Sequence, residues 1–218
     1  YSLAARDKSA AEAQALLDRL KAIPDAGLTD AGRANKGVLS RILSEQIESN
    51  HFGQRLMLFT TYSSPHQGFA DLGSYVPLYT KADYRSYLTR LAQFPKINAD
   101  IISITRQAIA KGFVQPCEAM NGFETTITGA IAGKPEDTRF YEPFKRNKPN
   151  DVSDADWAAM KAEGLRIIRD VLTPAYQQFS DFYVKEYKPK CAAKVGVSYQ
   201  PGAKTITPSK PGPTRRRT

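Results

Sequence analysis

Residues 153–187 read SDADWAAMKAEGLRIIRDVLTPAYQQFSDFYVKEY, and the fold class turns on the period of that run. Trp157, Met160, Leu165, Ile168, Val171 and Leu172 follow helical spacing, as the residues of one helix face do. Beyond Pro174 the pattern resumes with Tyr176, Phe179, Phe182 and Tyr183 and continues to about Tyr187. Pro174 has no amide donor, so it is predicted to kink this helix, the longest of the chain, without ending it. The aromatic residues at helical spacing read as core before they read as a ligand platform.

Working outward, the same vocabulary repeats. Ser9-Ala10-Ala11-Glu12 has the form of a capping box, followed by Leu16, Leu17, Leu20 and Ile23. A second helix is predicted from Thr29 or Asp30, with Val38, Leu39, Ile42, Leu43 and Ile47 on its inner face. Thr80 to Asp83 starts another, directing Tyr84, Tyr87, Leu88 and Leu91 inward. Pro95 suits the first position of the helix that runs through Ile101 and Ile104 to Gly112. Pro116 opens a weaker, Thr- and Gly-rich helical stretch, and 134–150 reads as loop with one turn at Tyr141 to Lys145. Between about 50 and 79 periodicity fails, yet Phe52, Phe59, Tyr62, Phe69 and Tyr75 make this too aromatic for a disordered linker; it reads as a long ordered loop packed on the helices. No segment alternates with period two for long enough to build a sheet. The predicted fold is all-α, an irregular multi-helix bundle.

The 218 residues are 24 % charged and 41 % hydrophobic, the composition of a soluble globular chain. No apolar run approaches the length of a membrane span. The net charge of +9 is uneven: Lys204, Lys210, Arg215, Arg216 and Arg217 fall in an acid-free tail. The expected organisation is a helical domain over 1–202 and a basic, disordered tail over 203–218. The tail has no aromatic residue and no motif beside it, so a nucleic-acid partner is not expected. It is read instead as the product of a frameshift. A single inserted base, with a suitable choice of codons, turns Lys204 onward into a Tyr-Tyr and Thr-Thr pattern.

Chemistry-bearing residues are few. His51 and His66 are fifteen positions apart and no His-Glu-x-x-His occurs, so the helix-borne zinc constellation is absent and no metal ligand is assigned. Cys117 and Cys191 stand alone and read as buried free thiols, with a disulfide between them the alternative in an oxidising compartment; both histidines read as solvated. The most site-like stretch is Ser63 to Gly68, where His66 and Gln67 are the candidate ligand-binding residues. A loop that satisfies its own backbone amides is the preferred reading there, because no acidic partner for His66 is identifiable. No catalytic residue is assigned.

In order and spacing the chain resembles a large bacterial family catalogued as domain of unknown function 885. The residues that carry the likeness are Asp83 to Leu91 followed by Phe94-Pro95, Gly112 with Val114-Gln115-Pro116, and Tyr141-Glu142-Pro143-Phe144. Pro174-Ala175-Tyr176, Glu186-Tyr187 with Pro189, and Gly196 with Pro201-Gly202 complete it, while Ala192 departs from the arginine frequent in the family. The resemblance implies a helical fold related to gluzincin-type zinc peptidases, whose metal motif sits in a C-terminal half beyond these residues. It implies that this chain is the N-terminal portion of a zinc-dependent peptidase-like hydrolase with a peptide-like substrate, carrying no cofactor itself and inactive alone. The alternative is a non-catalytic helical binding or scaffold module of the bacterial envelope. Location in the envelope or secretion is the expectation, with the cytoplasm left open, and self-association through a surface that the remaining half would cover is expected too.

Overall fold

A computed structural model describes residues 2–60 and 62–202. The tail assigned to disorder and to a frameshift lies outside the described residues.

The described residues form a succession of helices joined by loops. Helices α1 (Leu3–Lys21) and α2 (Asp30–His51) form an antiparallel hairpin. The body follows with α3 (Pro65–Ala70), α4 (Leu72–Tyr75), α5 (Lys81–Ala92), α6 (Phe94–Ala110), α7 (Phe123–Thr128) and α8 (Glu142–Lys145). It closes with α9 (Asp154–Ile167) and α10 (Thr173–Phe182). Among the described residues there is no strand, and a lone parallel bridge joins Pro116 to Ala192.

Side-chain caps start the longer helices α1, α2, α5 and α9. Thr80 and Asp83 make a reciprocal capping box on α5, and Ser153 accepts the Asp156 amide at 3.1 Å ahead of α9. Thr29 does the same for Gly32 on α2. The capping box expected at Ser9 does not form. Helix α1 begins seven residues earlier, at Leu3, capped by Ser2, and Ser9 is a mid-helix residue whose hydroxyl accepts from Gln46 Nε2 at 3.0 Å. Alanine-rich sequence upstream extends the helix and leaves the Ser9 side chain for the neighbouring helix.

The run from Asp154 to Tyr187 is continuously helical, but it accommodates Pro174 in its own way. Residues Ile168–Leu172 take π-helical hydrogen bonding just before the proline, and Thr173 Oγ1 donates to the Ile168 carbonyl at 2.9 Å. A second π-turn spans Tyr183–Tyr187. Neither π-turn has a signature in apolar spacing.

Around this run lies the main core. Tyr176 stacks on Phe94 at 4.4 Å between ring centres, Phe123 lies against Tyr183 at 4.7 Å, and Trp157 meets Tyr84 edge-on at 4.9 Å. The buried tyrosines also pin the irregular segments, because each hydroxyl needs a partner once dry. Tyr84 donates to the Pro143 carbonyl at 2.8 Å, Tyr87 to Phe140 at 2.9 Å and Tyr176 to His66 at 2.6 Å. Loops over 52–80 and 134–150 are thus fastened to helices by side chains, and the region expected as one long loop near 50–79 contains the short helices α3 and α4.

Two expectations are corrected here. Cys117 and Cys191 are not free thiols: they form a disulfide that ties the segment after α6 to the end of the long helical run. The adjoining backbone bonds from Cys117 to Ala192 and from Ala192 to Gln115, both 2.9 Å, bring the sulfurs together. On α2, Val38, Leu39 and Ile42 do not face inward; they are exposed, because α1 covers only the Leu43 and Ile47 side of that helix.

Candidate functional site

Helix α3 places the sequence-nominated residues on opposite sides of the surface. His66 is fully buried, against the expectation of a solvated ring, and packs between Phe123 and Phe179 at 5.4 and 5.1 Å. Thr126 donates its hydroxyl hydrogen to the Phe123 carbonyl at 2.7 Å, so its oxygen is free to accept from His66 Nε2 at 2.9 Å. That fixes the Nε2–H tautomer and leaves the buried Nδ1 without a hydrogen-bond partner among the described residues. Burial pushes the imidazole down to about 4, so it is neutral at physiological pH. His66 is a structural residue of the wall. His51 is exposed at the last turn of α2.

Gln67, next along α3, faces a surface cleft of about 290 Å³. Its Oε1 accepts from the Ser64 hydroxyl at 2.6 Å, which fixes the amide and directs Nε2 away from that bond. Thr125 and Thr126 of α7 form the facing wall. Asp71 and Arg139 close one end as an ion pair at 2.6 Å, and a second cleft of about 280 Å³, which includes Arg146, begins on the far side of that pair. Gly129 and Ala70 keep the floor small. The cleft therefore presents amide and guanidinium donors beside carboxylate and hydroxyl acceptors at close range, a set suited to an extended polar chain such as a peptide backbone. It contains no nucleophile paired with a base.

Of the nominated pair, the structure puts Gln67 in the cleft and His66 behind it. Asp71, Thr125, Thr126 and Arg139 were not singled out by sequence, since they come from three separated segments and share no spacing. The described residues hold no group of three or more His, Cys, Asp or Glu side chains that could bind a metal ion. His66 is committed to Thr126, and both cysteines are committed to the disulfide, so the residues present do not fit a catalytic zinc.

Comparison with curated proteins finds no match. Among solved structures, the chain is similar to a protein from Colwellia psychrerythraea described as a "putative lipoprotein", with a TM-score of 0.82 at 17 % identity. The match covers 94 % of this chain and 37 % of that one, so this chain spans little more than a third of the length of that protein. At that identity the likeness establishes the fold alone. No helix among the described residues is long and apolar enough to cross a membrane. Residues 1–209 match the family described as bacterial protein of unknown function (DUF885), and the chain belongs to that family.

Proposed function

We propose that this chain is the N-terminal helical part of a zinc-dependent peptidase-like hydrolase of the bacterial envelope, and that it contributes a wall of the substrate cleft rather than the metal. The observation that carries this reading is the polar cleft between α3 and α7, where Gln67, Thr126 and the Asp71–Arg139 pair offer donors and acceptors to an extended backbone. Zinc, when bound by the motif expected in the rest of such a protein, would polarise the scissile carbonyl and activate water. The residues of this chain bind and orient. Arg139, 72 % exposed at its side chain, is placed to take a carboxylate or carbonyl oxygen, and Gln67 Nε2 a second carbonyl.

The disulfide supports an oxidising compartment, and the similar solved structure described as a "putative lipoprotein" supports the envelope in particular. The second reading, a non-catalytic binding module, rests on the lack of a metal-ligand group among the described residues and makes the same use of the cleft.

Titration of the ¹⁵N-labelled chain with short unblocked peptides tests the binding role. Shifts are expected at Gln67, Thr126 and Arg139, with affinity weakened roughly tenfold by Arg139→Ala, the loss of one charge-assisted contact. No peptide response, or a response elsewhere on the surface, refutes the cleft. Peptide hydrolysis by this chain with added zinc, abolished by a chelator, refutes the assignment of the metal motif to residues outside it.

A further inference from the structure

The second cleft, beyond the Asp71–Arg139 pair, has a charge balance of its own. Asp71, Ser74, Arg139, Glu142 and Arg146 line it, with buried Gly73 and Pro143 at its floor. Both of its carboxylates are taken: Asp71 pairs with Arg139 at 2.6 Å, and Glu142 pairs with Lys145, one turn along α8, also at 2.6 Å. Arg146 differs. It is exposed, no carboxylate among the described residues pairs with it, and its Nη2 donates to the Gly73 carbonyl at 3.3 Å.

The backbone under Arg146 is fixed from the core. A Cβ on Gly73 would come within 2.7 Å of Pro143 Cγ and 3.3 Å of the Tyr87 hydroxyl, so the absence of a side chain lets α4 close on α8. Tyr84 holds the Pro143 carbonyl at 2.8 Å, and Tyr87 that of Phe140 at 2.9 Å. One bond to Gly73 uses little of a guanidinium's five donors, and the rest of the fork is left for a ligand. The two clefts share Ala70, Asp71 and Arg139, so they run end to end. The first offers amide and hydroxyl groups to a backbone, and the second ends the same track on a cation that no carboxylate offsets.

We propose that this end is a carboxylate subsite: Arg146 takes the negative charge of a bound peptide, while Arg139 and Gln67 contact carbonyl oxygens farther along it. The proposal rests on the peptide-binding reading of the α3–α7 cleft and adds the class of peptide, one with a carboxylate at the Arg146 end. A planar monoanion matches the guanidinium fork. A phosphate dianion does not, because Asp71 and Glu142 line the same space and repel a second negative charge. The carboxylate has two sources, the C-terminus of the peptide or an Asp or Glu side chain, and the chemistry at Arg146 is the same for both.

One short, N-acetylated peptide of uncharged residues tests this in three forms: the free acid, the C-terminal amide, and an amide ending in Glu. Binding to the ¹⁵N-labelled chain is followed at Gln67 and Thr126. The free acid is expected to bind roughly tenfold tighter than the plain amide, with shifts extending to Gly73 and Ser74. If the Glu amide recovers the tenfold, a side-chain carboxylate serves; if it does not, the subsite reads the chain end. Arg146→Gln should bring the acid down to the level of the amide and leave the amide unchanged, and Arg146→Lys should keep part of the preference. Circular dichroism checks folding; if Arg146→Gln is unfolded, Ser74→Glu, which adds a carboxylate to the same cleft, should abolish the preference in its place. Equal binding of acid and amide, with Gln67 and Thr126 still shifting, overturns the carboxylate subsite and leaves the α3–α7 cleft standing. No shift with any of the three overturns both. A preference that survives Arg146→Gln, or Ser74→Glu in its place, overturns the role of Arg146, and inorganic phosphate competing with the acid better than acetate does overturns the choice of anion.

Discussion

The body and the hairpin are built from similar helix-forming sequence but bury it to very different depths. In the body, α5, α6, α9 and α10 surround one core in which Tyr84, Phe94, Phe123, Leu172, Tyr176 and Tyr183 are wholly enclosed. In the hairpin, Ala13, Leu17 and Leu43 alone are buried, while α2 at 22 residues is longer than any other α-helix described. Helix length is a local property, whereas burial needs neighbours on several sides. Tyrosine marks the difference. The body uses buried tyrosines whose rings fill the core and whose hydroxyls hold loops, as Tyr176 holds the His66 carbonyl at 2.6 Å; neither α1 nor α2 contains a Phe, Tyr or Trp. One region is fixed by tertiary contacts, the other mainly by its own two helices.

The sharpest way to break this comparison is to empty the body core. Tyr176→Ala should cost about 5 kcal/mol, since it removes a fully buried ring and leaves the His66 carbonyl without its partner. Trp157→Ala and Leu172→Ala should each cost about 2–5 kcal/mol. Denaturant unfolding measures all three, and neutral effects would mean that the core is not where the structure places it.

Next in size is the disulfide. Cys117 and Cys191 are separated by 74 positions, and on the chain-entropy account their link is worth about 4 kcal/mol. Exchange of both for Ser should lower the denaturation midpoint of the body while amide exchange in α1 and α2 stays as it was. Equal loosening of both regions would show that the hairpin depends on the body more than its contacts suggest.

The His66 ring provides a pH test confined to the body. As pH falls below 6.5 the unfolded chain takes up the proton first, while the buried ring stays neutral down to about 4. Stability is therefore full above that window and falls through it, by about 3 kcal/mol in all. His66→Gln should flatten this part of the stability–pH curve. An unchanged slope would remove His66 as its source.

The smallest global effect belongs to the hairpin. Leu43→Ala should cost about 2 kcal/mol, expressed as faster amide exchange in α1 and α2 and not as a lower midpoint for the body. A fully cooperative loss of both regions would merge them into one folding unit.

The helical class was legible because apolar spacing in residues such as Tyr84, Tyr87, Leu88 and Leu91 states both the period and the buried face. Caps at Thr29, Thr80 and Ser153 were legible for the same reason: a short polar side chain answers a local orphan amide. The spacing of Val38, Leu39 and Ile42 was just as clear, yet their exposure was not, since a period identifies an apolar face without identifying what covers it. The cleft was half legible. Gln67 lies in a stretch whose polar residues and glycine attract notice, while Asp71, Thr125, Thr126 and Arg139 are ordinary in sequence and meet only through the packing of α3 on α7.

By itself, then, the sequence determined the helical class, the starts at Thr29, Thr80 and Ser153, the inward faces of the long body helices and the family, because these depend on neighbours within a turn or on ordered spacing along the chain. Tertiary structure decided the rest. It joined Cys117 to Cys191 across 74 positions and enclosed His66 among aromatic rings that arrive from α7 and α10. It also placed a π-turn before Pro174 and left one face of the hairpin uncovered. Each of these depends on which segments meet in space, and burial, desolvation and disulfide geometry act only between segments that have already been brought together.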